Sequence, residues 1–170
     1  MNNKFFEFLH NHNIYDDKVY KYYLNNANNF DYYNEDMFRS YIGCSFITSK
    51  NKILKQIIPI VPYPVDDITT LINIHEYVHT LGCYDKINKR FKSSVYDEIL
   101  PIFYEKLFVL ENNNTKLNNY EEFLDNAALE SNDEKYLLGV KVSKYLLDDY
   151  NYDEFNKLNK KIKKLSKKYY

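Results

Sequence analysis

The chain is poor in the residues that mark several classes of protein. Its 170 residues include no Trp, 3 Gly, 4 Pro and 2 Cys. So few glycines and prolines argue against a loop-dominated or low-complexity protein. Cys44 and Cys83 cannot form a disulfide framework, so we interpret both as reduced thiols and expect a cytoplasmic protein. No apolar run approaches the roughly 20 residues that cross a bilayer, so we expect no transmembrane segment.

Charge and hydrophobic content narrow the class further. The formal net charge is −1, which gives the whole chain no attraction for phosphate backbones, so we expect no nucleic-acid partner. Hydrophobic residues make up 45% of the chain, with 19 Tyr and 11 Phe among them. This supply is sufficient for a core, and the length fits one domain over residues 1–170. The sequence gives no indication of oligomeric state.

Hydrophobic periodicity predicts an α+β fold that is mostly helical. Ile42, Cys44 and Phe46 alternate with small polar residues, as in a strand, and an Ile-rich run follows that Pro59 restricts to a sheet edge. The predicted parts are N-terminal helices over 1–40, an antiparallel hairpin over 41–62, a helix over 66–82, a helix over 94–111 and C-terminal helices over 119–170.

Capping and breaking residues refine these boundaries. Asp66 is a predicted N-cap, and Gly82 is predicted to end the same helix at the C′ position. Pro101 is expected either to kink the next helix or to leave a carbonyl near Asp97 unpaired, since proline cannot donate a backbone hydrogen bond. Asn119 with Glu122 three residues later predicts a capping box at the start of the C-terminal helices.

The stretch "INIHEYVHTLG" contains the pattern H-E-x-x-H, formed by His75, Glu76 and His79. Residues four apart lie on one face of a helix, so both imidazoles can bind one ion. Zinc accepts neutral imidazole nitrogens, and Glu76 is placed to reach a metal-held water without binding the metal. The alternative is a pair of hydrogen-bonded histidines beside a glutamate that forms a salt bridge.

A catalytic zinc site needs a third protein ligand and one open position. No histidine follows His79, so the candidates are carboxylates. Glu98 comes at the start of the next predicted helix. Asp97 is the alternative third ligand, because adjacent helical residues point about 100° apart and only one of the two can face the metal. Glu105 lies seven residues after Glu98 on the same face, either as a surface acid or as an acceptor for the N–H of a ligating histidine.

His75, Glu76 and His79 followed by a helical glutamate resemble the gluzincin clan of metallopeptidases. More narrowly, "YDEILPIFYE" resembles the second-helix motif of the thimet/oligoendopeptidase F-type oligopeptidases. The resemblance implies a zincin-like core, in which the hairpin packs beside an active-site helix and a following glutamate helix. It also implies Glu98 as the third zinc ligand and Glu105 as the supporting acid. "YLLGVKVSKYL" is similar to a late helix of that family and suggests Tyr136 as the donor to the oxyanion.

We therefore predict a zinc-dependent metallopeptidase that acts on a peptide or protein substrate. Zn²⁺ bound by His75, His79 and Glu98 activates a water, and Glu76 transfers its proton to the leaving amine. One alternative is a catalytically inactive zincin-like binding or regulatory protein. Another is an accessory protein that binds acidic partners through its basic C-terminal helix, in which seven lysines are concentrated over residues 157–168.

Overall fold

The computed structural model describes five segments of the chain and two single positions. The described residues are 4–27, 45–49, 52–57, 66–83 and 97–148, with single positions at 157 and 160. The chain divides into two compact units, Met1–Phe91 and Lys92–Tyr170, and each is described below by itself. The prediction of one domain stays a prediction.

The first unit contains three described helices and one antiparallel pair of strands. In chain order these elements are α1 (Lys4–Asn11), α2 (Asp17–Ala27), β1 (Ser45–Ser49), β2 (Lys52–Ile57) and α3 (Asp67–Cys83). Of the N-terminal helices predicted over 1–40, the part over residues 28–40 lies outside the described residues. Both α1 and α2 contact α3, and β2 contacts α2.

The two longer helices of this unit begin at aspartate caps. The Asp16 carboxylate accepts hydrogen bonds from the backbone N–H groups of Lys18 and Val19, at 2.9 and 3.0 Å. The Asp66 carboxylate accepts from the N–H of Thr69 at 2.8 Å, and the Asp66 N–H donates back to the Thr69 hydroxyl. These bonds satisfy N–H groups that lack a helical partner. The predicted N-cap at Asp66 is confirmed.

The end of α3 differs from the prediction. Gly82 lies inside the helix, which continues to Cys83, so its predicted role as the C′ residue is wrong. Gly82 is exposed, and a Cβ built on it would meet no atom within 4 Å. Neither sterics nor a positive φ therefore explains a glycine here, and the helix simply tolerates it.

The predicted α+β class is wrong, because helices form the core and the strands do not make a layer. The only described pairing joins Ser45–Ser49 to Lys52–Ile57, with an irregularity between Ile47 and Thr48. Two strands are too few to bury a hydrophobic sheet face independently. The helix that was expected to lie beside a sheet is instead packed by α1 and α2.

The second unit is helical throughout its described residues. It consists of α4 (Ile99–Asn112), α5 (Thr115–Ser131) and α6 (Glu134–Asp148). Asn113 and Asn132 make the two short connections possible, since both have positive φ, at 30° and 57°. Asparagine tolerates the left-handed region better than most residues, and there it ends a helix without long loops.

The start of α4 also differs from the prediction. The helix begins at Ile99 with Glu98 as its N-cap residue, whereas we predicted a helix over 94–111. Pro101 therefore lies in the first turn, where backbone N–H groups have no partner within the helix, and the expected kink is wrong. The first helical bond runs from the Ile102 N–H to the Glu98 carbonyl oxygen at 3.1 Å.

The C-terminal helices begin earlier than residue 119. The side chain of Asn114 accepts the Leu117 N–H at 2.9 Å, so Asn114 is the N-cap and Asn119 lies inside α5. The Asp133 carboxylate accepts the Lys135 N–H at 2.9 Å at the start of α6. Of the basic segment over 157–168, only positions 157 and 160 are described, and both are helical and exposed.

None of the described helices combines the length and the apolar character that a bilayer crossing requires.

Candidate metal centre

The two histidines of the H-E-x-x-H motif face each other on α3. The Nε2 atoms of His75 and His79 lie 3.1 Å apart, and the ring centroids are separated by 4.8 Å at an interplanar angle of 66°. Both side chains are half-buried. The predicted convergence of the two imidazoles is therefore present within this helix.

The separation of the two nitrogens suits two neighbouring ligands of a tetrahedral ion. Zinc–nitrogen bonds of about 2.0–2.1 Å at tetrahedral angles place two ligand atoms about 3.3–3.4 Å apart. A hydrogen bond between two neutral imidazoles also brings the nitrogens to about 3 Å. The distance therefore fits either a shared cation or a shared proton, and a binding measurement must separate the two.

The helix that carries the pair is buried on its other faces. Its half-buried positions are His75, His79, Leu81 and the first residues, and Gly82 is exposed. The fully buried side chains of α3 are Thr70, Leu71, Asn73, Ile74, Tyr77 and Thr80. A helix enclosed in this way has little freedom to rotate or shift. The histidines thus stand on a rigid backbone.

Tyr77 is the strongest anchor of α3. Its hydroxyl accepts the Asp16 N–H at 2.9 Å and donates to the Ile14 carbonyl oxygen at 3.2 Å. Its ring meets those of Phe5 and Tyr23 edge to face, with centroids 6.1 and 5.7 Å away. Burial raises the pKa of Tyr77 to about 12. Because Tyr77 lies two residues after His75, it points to the opposite side of the helix.

Glu76 is almost fully enclosed, with 2% of its surface exposed. It follows His75 directly, so its side chain points about 100° around the helix from the His75 side chain. Carboxylates are rarely this buried, because removing the charge from water is costly without compensating interactions. Its position directly after His75 is the order that the H-E-x-x-H pattern of metal hydrolases has.

Glu98 belongs to the second unit, where it is the N-cap residue of α4. Its backbone is in the right-handed helical region, at φ −87° and ψ −12°, and 9% of the residue is exposed. Asp97 precedes it in the turn and is half-buried. The burial therefore favours Glu98 over Asp97 as a ligand candidate.

Glu105 lies two turns into α4 and is also 9% exposed. Seven residues complete nearly two turns, so Glu98 and Glu105 share one face of the helix. Burial raises the pKa of the Tyr120 hydroxyl to about 12, and the negative charge of Glu105 adds to the rise. Glu105 therefore has an electrostatic neighbour on α5.

Tyr136 lies in the first turn of α6 and is 37% exposed. Its proposed contact with an oxyanion stays a prediction. The structure thus brings His75 and His79 together on α3, and it aligns Glu98 and Glu105 on α4.

Two further residues, Tyr77 and Lys106, are important for the structure around the candidate ligands. Tyr77 lies inside the motif itself and anchors its helix. Lys106 is a lysine within the apolar run "ILPIFYEKLFVLE" and is only 4% exposed. Its ammonium group binds Glu121 at 2.6 Å and Asp125 at 2.8 Å. The two acids are four residues apart on α5, and this spacing is a signal for a shared cation.

Comparison of the chain with protein-family models, with curated proteins and with solved structures finds no match in any of the three. The likeness to gluzincins therefore depends on the motif residues alone, and a function can be inferred only from the geometry of those residues.

Proposed function

We propose that this chain is a zinc-dependent metallopeptidase. The observation that carries the proposal is the histidine pair, whose Nε2 atoms lie 3.1 Å apart on a rigid helix. The buried carboxylate of Glu76 follows the first of them directly. Two imidazoles and an adjacent acid in this order supply two metal ligands and a general base for the hydrolysis of a peptide bond.

His75 and His79 would hold the metal together with the carboxylate of Glu98. Two neutral nitrogens and one carboxylate are a donor set that zinc accepts at catalytic sites, where a fourth position stays open for water. The bound ion would supply Lewis acidity, which makes water a nucleophile near neutral pH. Glu105 would support this set by accepting a hydrogen bond from a ligand's free N–H.

Glu76 would perform the proton transfers of the reaction. Its carboxylate takes one proton from the water as the oxygen attacks the scissile carbonyl carbon. When the carbon–nitrogen bond breaks, the same group delivers this proton to the leaving amine. Tyr136 would donate a hydrogen bond to the oxygen of the tetrahedral intermediate. We expect the substrate to be a peptide or protein and the enzyme to act in the cytoplasm.

Metal binding and catalysis can be tested separately with three variants. We expect the purified wild-type chain to bind one zinc ion per molecule in elemental analysis and titration calorimetry. His79→Ala should lose this binding, whereas His10→Ala, which removes an exposed histidine of α1, should retain it. Glu76→Gln should retain zinc and lose cleavage of a mixed peptide library, because an amide cannot accept the proton.

Three outcomes would contradict the proposal in different ways. Equal zinc binding by the wild-type chain and His79→Ala would show that the histidine pair holds a shared proton rather than a cation. Unchanged peptide cleavage in Glu76→Gln would remove Glu76 from catalysis. Zinc binding without any cleavage by the wild-type chain would favour the non-catalytic binding protein.

A further inference from the structure

The first turn of α4, together with its N-cap residue Glu98, lies directly against α6. Gly139 of α6 is buried, and a Cβ built on it would lie 3.1 Å from the Glu98 carbonyl oxygen and 3.3 Å from the Glu98 carbonyl carbon. The same Cβ would overlap the Cδ1 atom of Ile102. Any side chain at 139 would therefore press on the backbone of Glu98.

Ser143 makes a second contact with the same turn. Its side chain is fully buried, and its hydroxyl donates a hydrogen bond to the Ile99 carbonyl oxygen at 3.3 Å. Gly139 and Ser143 are four residues apart, so they lie on one face of α6. Small residues at this spacing allow two helix backbones to approach closely. Together they contact two consecutive residues, Glu98 and Ile99.

Alanine favours a helix interior more than glycine does, so a glycine in the middle of α6 needs a packing reason. The close approach to Glu98 supplies it. A residue at a helix N-terminus is held by fewer backbone hydrogen bonds than one in the middle. The position of Glu98 therefore depends on what contacts it from outside α4.

We propose that Gly139 and Ser143 are positioning residues that fix the Glu98 carboxylate for metal binding. The inference rests on the proposed function, in which Glu98 is a zinc ligand. Ligand groups must be held within about 0.5 Å of their productive positions. A Cβ at residue 139 would require the Glu98 backbone to move by a few tenths of an ångström, which uses up most of this tolerance.

The test compares Gly139→Ala and Ser143→Ala with Lys141→Ala, which changes an exposed residue of the same helix. Zinc Kd is measured by competition with a chelator. We expect Gly139→Ala to raise it by about 10–100-fold, as changes to groups that orient metal ligands do. Ser143→Ala should raise the Kd by a smaller factor and should fold even if the glycine variant does not. Lys141→Ala should bind zinc as the wild type does.

A metal-free measurement reports the same contact independently. The Ile102 N–H donates to the Glu98 carbonyl oxygen at 3.1 Å, so its hydrogen exchange reports on that oxygen. We expect faster Ile102 exchange in Gly139→Ala than in Lys141→Ala. In the cobalt-loaded protein, the visible spectrum of Gly139→Ala should differ from that of the wild type, because the geometry of the ligands has changed.

The outcomes separate this inference from the proposed function. A wild-type chain that binds no zinc would overturn the proposed function and the inference with it. Zinc binding by the wild type that is equalled by both Gly139→Ala and Ser143→Ala would overturn the inference alone. Faster Ile102 exchange with an unchanged zinc Kd would reduce the contact to packing and would also overturn it.

Discussion

The histidine pair on α3 and Glu98, the N-cap residue of α4, are held in position in different ways. His75 and His79 lie in the middle of α3, where the helix itself and its buried neighbours fix both side chains. Glu98 lies at the first residue of its turn and depends on contacts from α6. The histidine pair is therefore a local feature of the sequence, whereas the position of the carboxylate depends on packing between helices.

The residue that anchors the central helix also differs between the two units. Around α3 the main anchor is Tyr77, whose contacts are aromatic rings and backbone groups. Around α4 the corresponding anchor is Lys106, a buried cation bound by Glu121 and Asp125 of α5. A neutral anchor and a charged anchor respond differently to mutation and to pH, and this difference makes the comparison testable.

The largest effect is expected from Tyr77→Ala. The substitution removes a fully buried ring and both of its hydroxyl hydrogen bonds. We expect a loss of about 3–5 kcal/mol in the free energy of unfolding, as for other large buried aromatic residues. Urea denaturation followed by circular dichroism measures this loss.

Tyr77→Phe is the matched control for the hydroxyl. It retains the ring and leaves the Asp16 N–H and the Ile14 carbonyl oxygen without the tyrosine partner, at an expected cost of about 1–3 kcal/mol. Equal losses in Tyr77→Phe and Tyr77→Ala would show that the hydrogen bonds, and not the ring packing, anchor α3. Negligible losses in both would mean that α3 is not held from this side.

The local features of the candidate site could be predicted from the sequence. The spacing of His75 and His79 sets their shared face through helix geometry alone. Asp66 was predicted as an N-cap from its position before the motif helix, and its carboxylate makes the expected bond. Such features depend on residues within one or two turns, so one sequence contains all the information they require.

Features set by contacts between distant residues could not be predicted in this way. The α+β class was wrong because strand periodicity over a short stretch does not say how many strands will assemble. The helix expected over 94–111 begins later, at Ile99, where Pro101 fits the first turn. The contacts of Gly139 with Glu98 join residues 41 positions apart, and no local pattern announces their partners.

The second effect concerns the charged interior around α4. Lys106→Met keeps the length and the apolar stem of the side chain but removes the ammonium group from Glu121 and Asp125. Breaking a buried ion pair costs about 3–5 kcal/mol, and partial exposure of the two acids should reduce this to about 2–3 kcal/mol. Their side chains are 28% and 15% exposed. The free energy of unfolding in urea measures the effect.

Lys144 provides the control, because its ammonium group also binds Asp125, at 3.0 Å, but is 61% exposed. Exposed ion pairs contribute less than about 1 kcal/mol, so Lys144→Met should change stability little. If Lys106→Met were as stable as the wild type, the apolar stem would account for the packing of α4. The contrast between a neutral anchor, Tyr77, and a charged anchor, Lys106, would then be lost.

The smallest effect is expected from alkaline pH, and it applies to both units. Burial raises the pKa of Tyr77 to about 12, and burial together with the charge of Glu105 does the same for Tyr120. In the unfolded chain both hydroxyls lose their protons near pH 10. Between pH 10 and 12 the folded chain thus binds more protons, and its stability falls as the pH rises.

The titration of Lys106 also lowers the stability of the folded chain as the pH rises. Burial lowers its pKa, but hydrogen bonds to Asp125 and Glu121 outweigh this effect, so the pKa lies above its ordinary value. The stability that these bonds provide is complete below the unfolded pKa of 10.5 and is lost as pH rises through the folded value. Alkaline conditions therefore weaken the charged interior as well as the tyrosines.

Two phenylalanine variants separate these contributions. Each tyrosine can account for at most about 1.4 kcal/mol of lost stability per pH unit. We expect the fall between pH 10 and 11 to be about 1 kcal/mol smaller in Tyr77→Phe than in the wild type. Tyr120→Phe should reduce it by a similar amount, because both hydroxyls have the same raised pKa. A fall that is unchanged in Tyr77→Phe but reduced in Tyr120→Phe would confine alkaline sensitivity to the unit that contains Glu98. That result would sharpen the contrast between the unit anchored by Tyr77 and the unit anchored by Lys106.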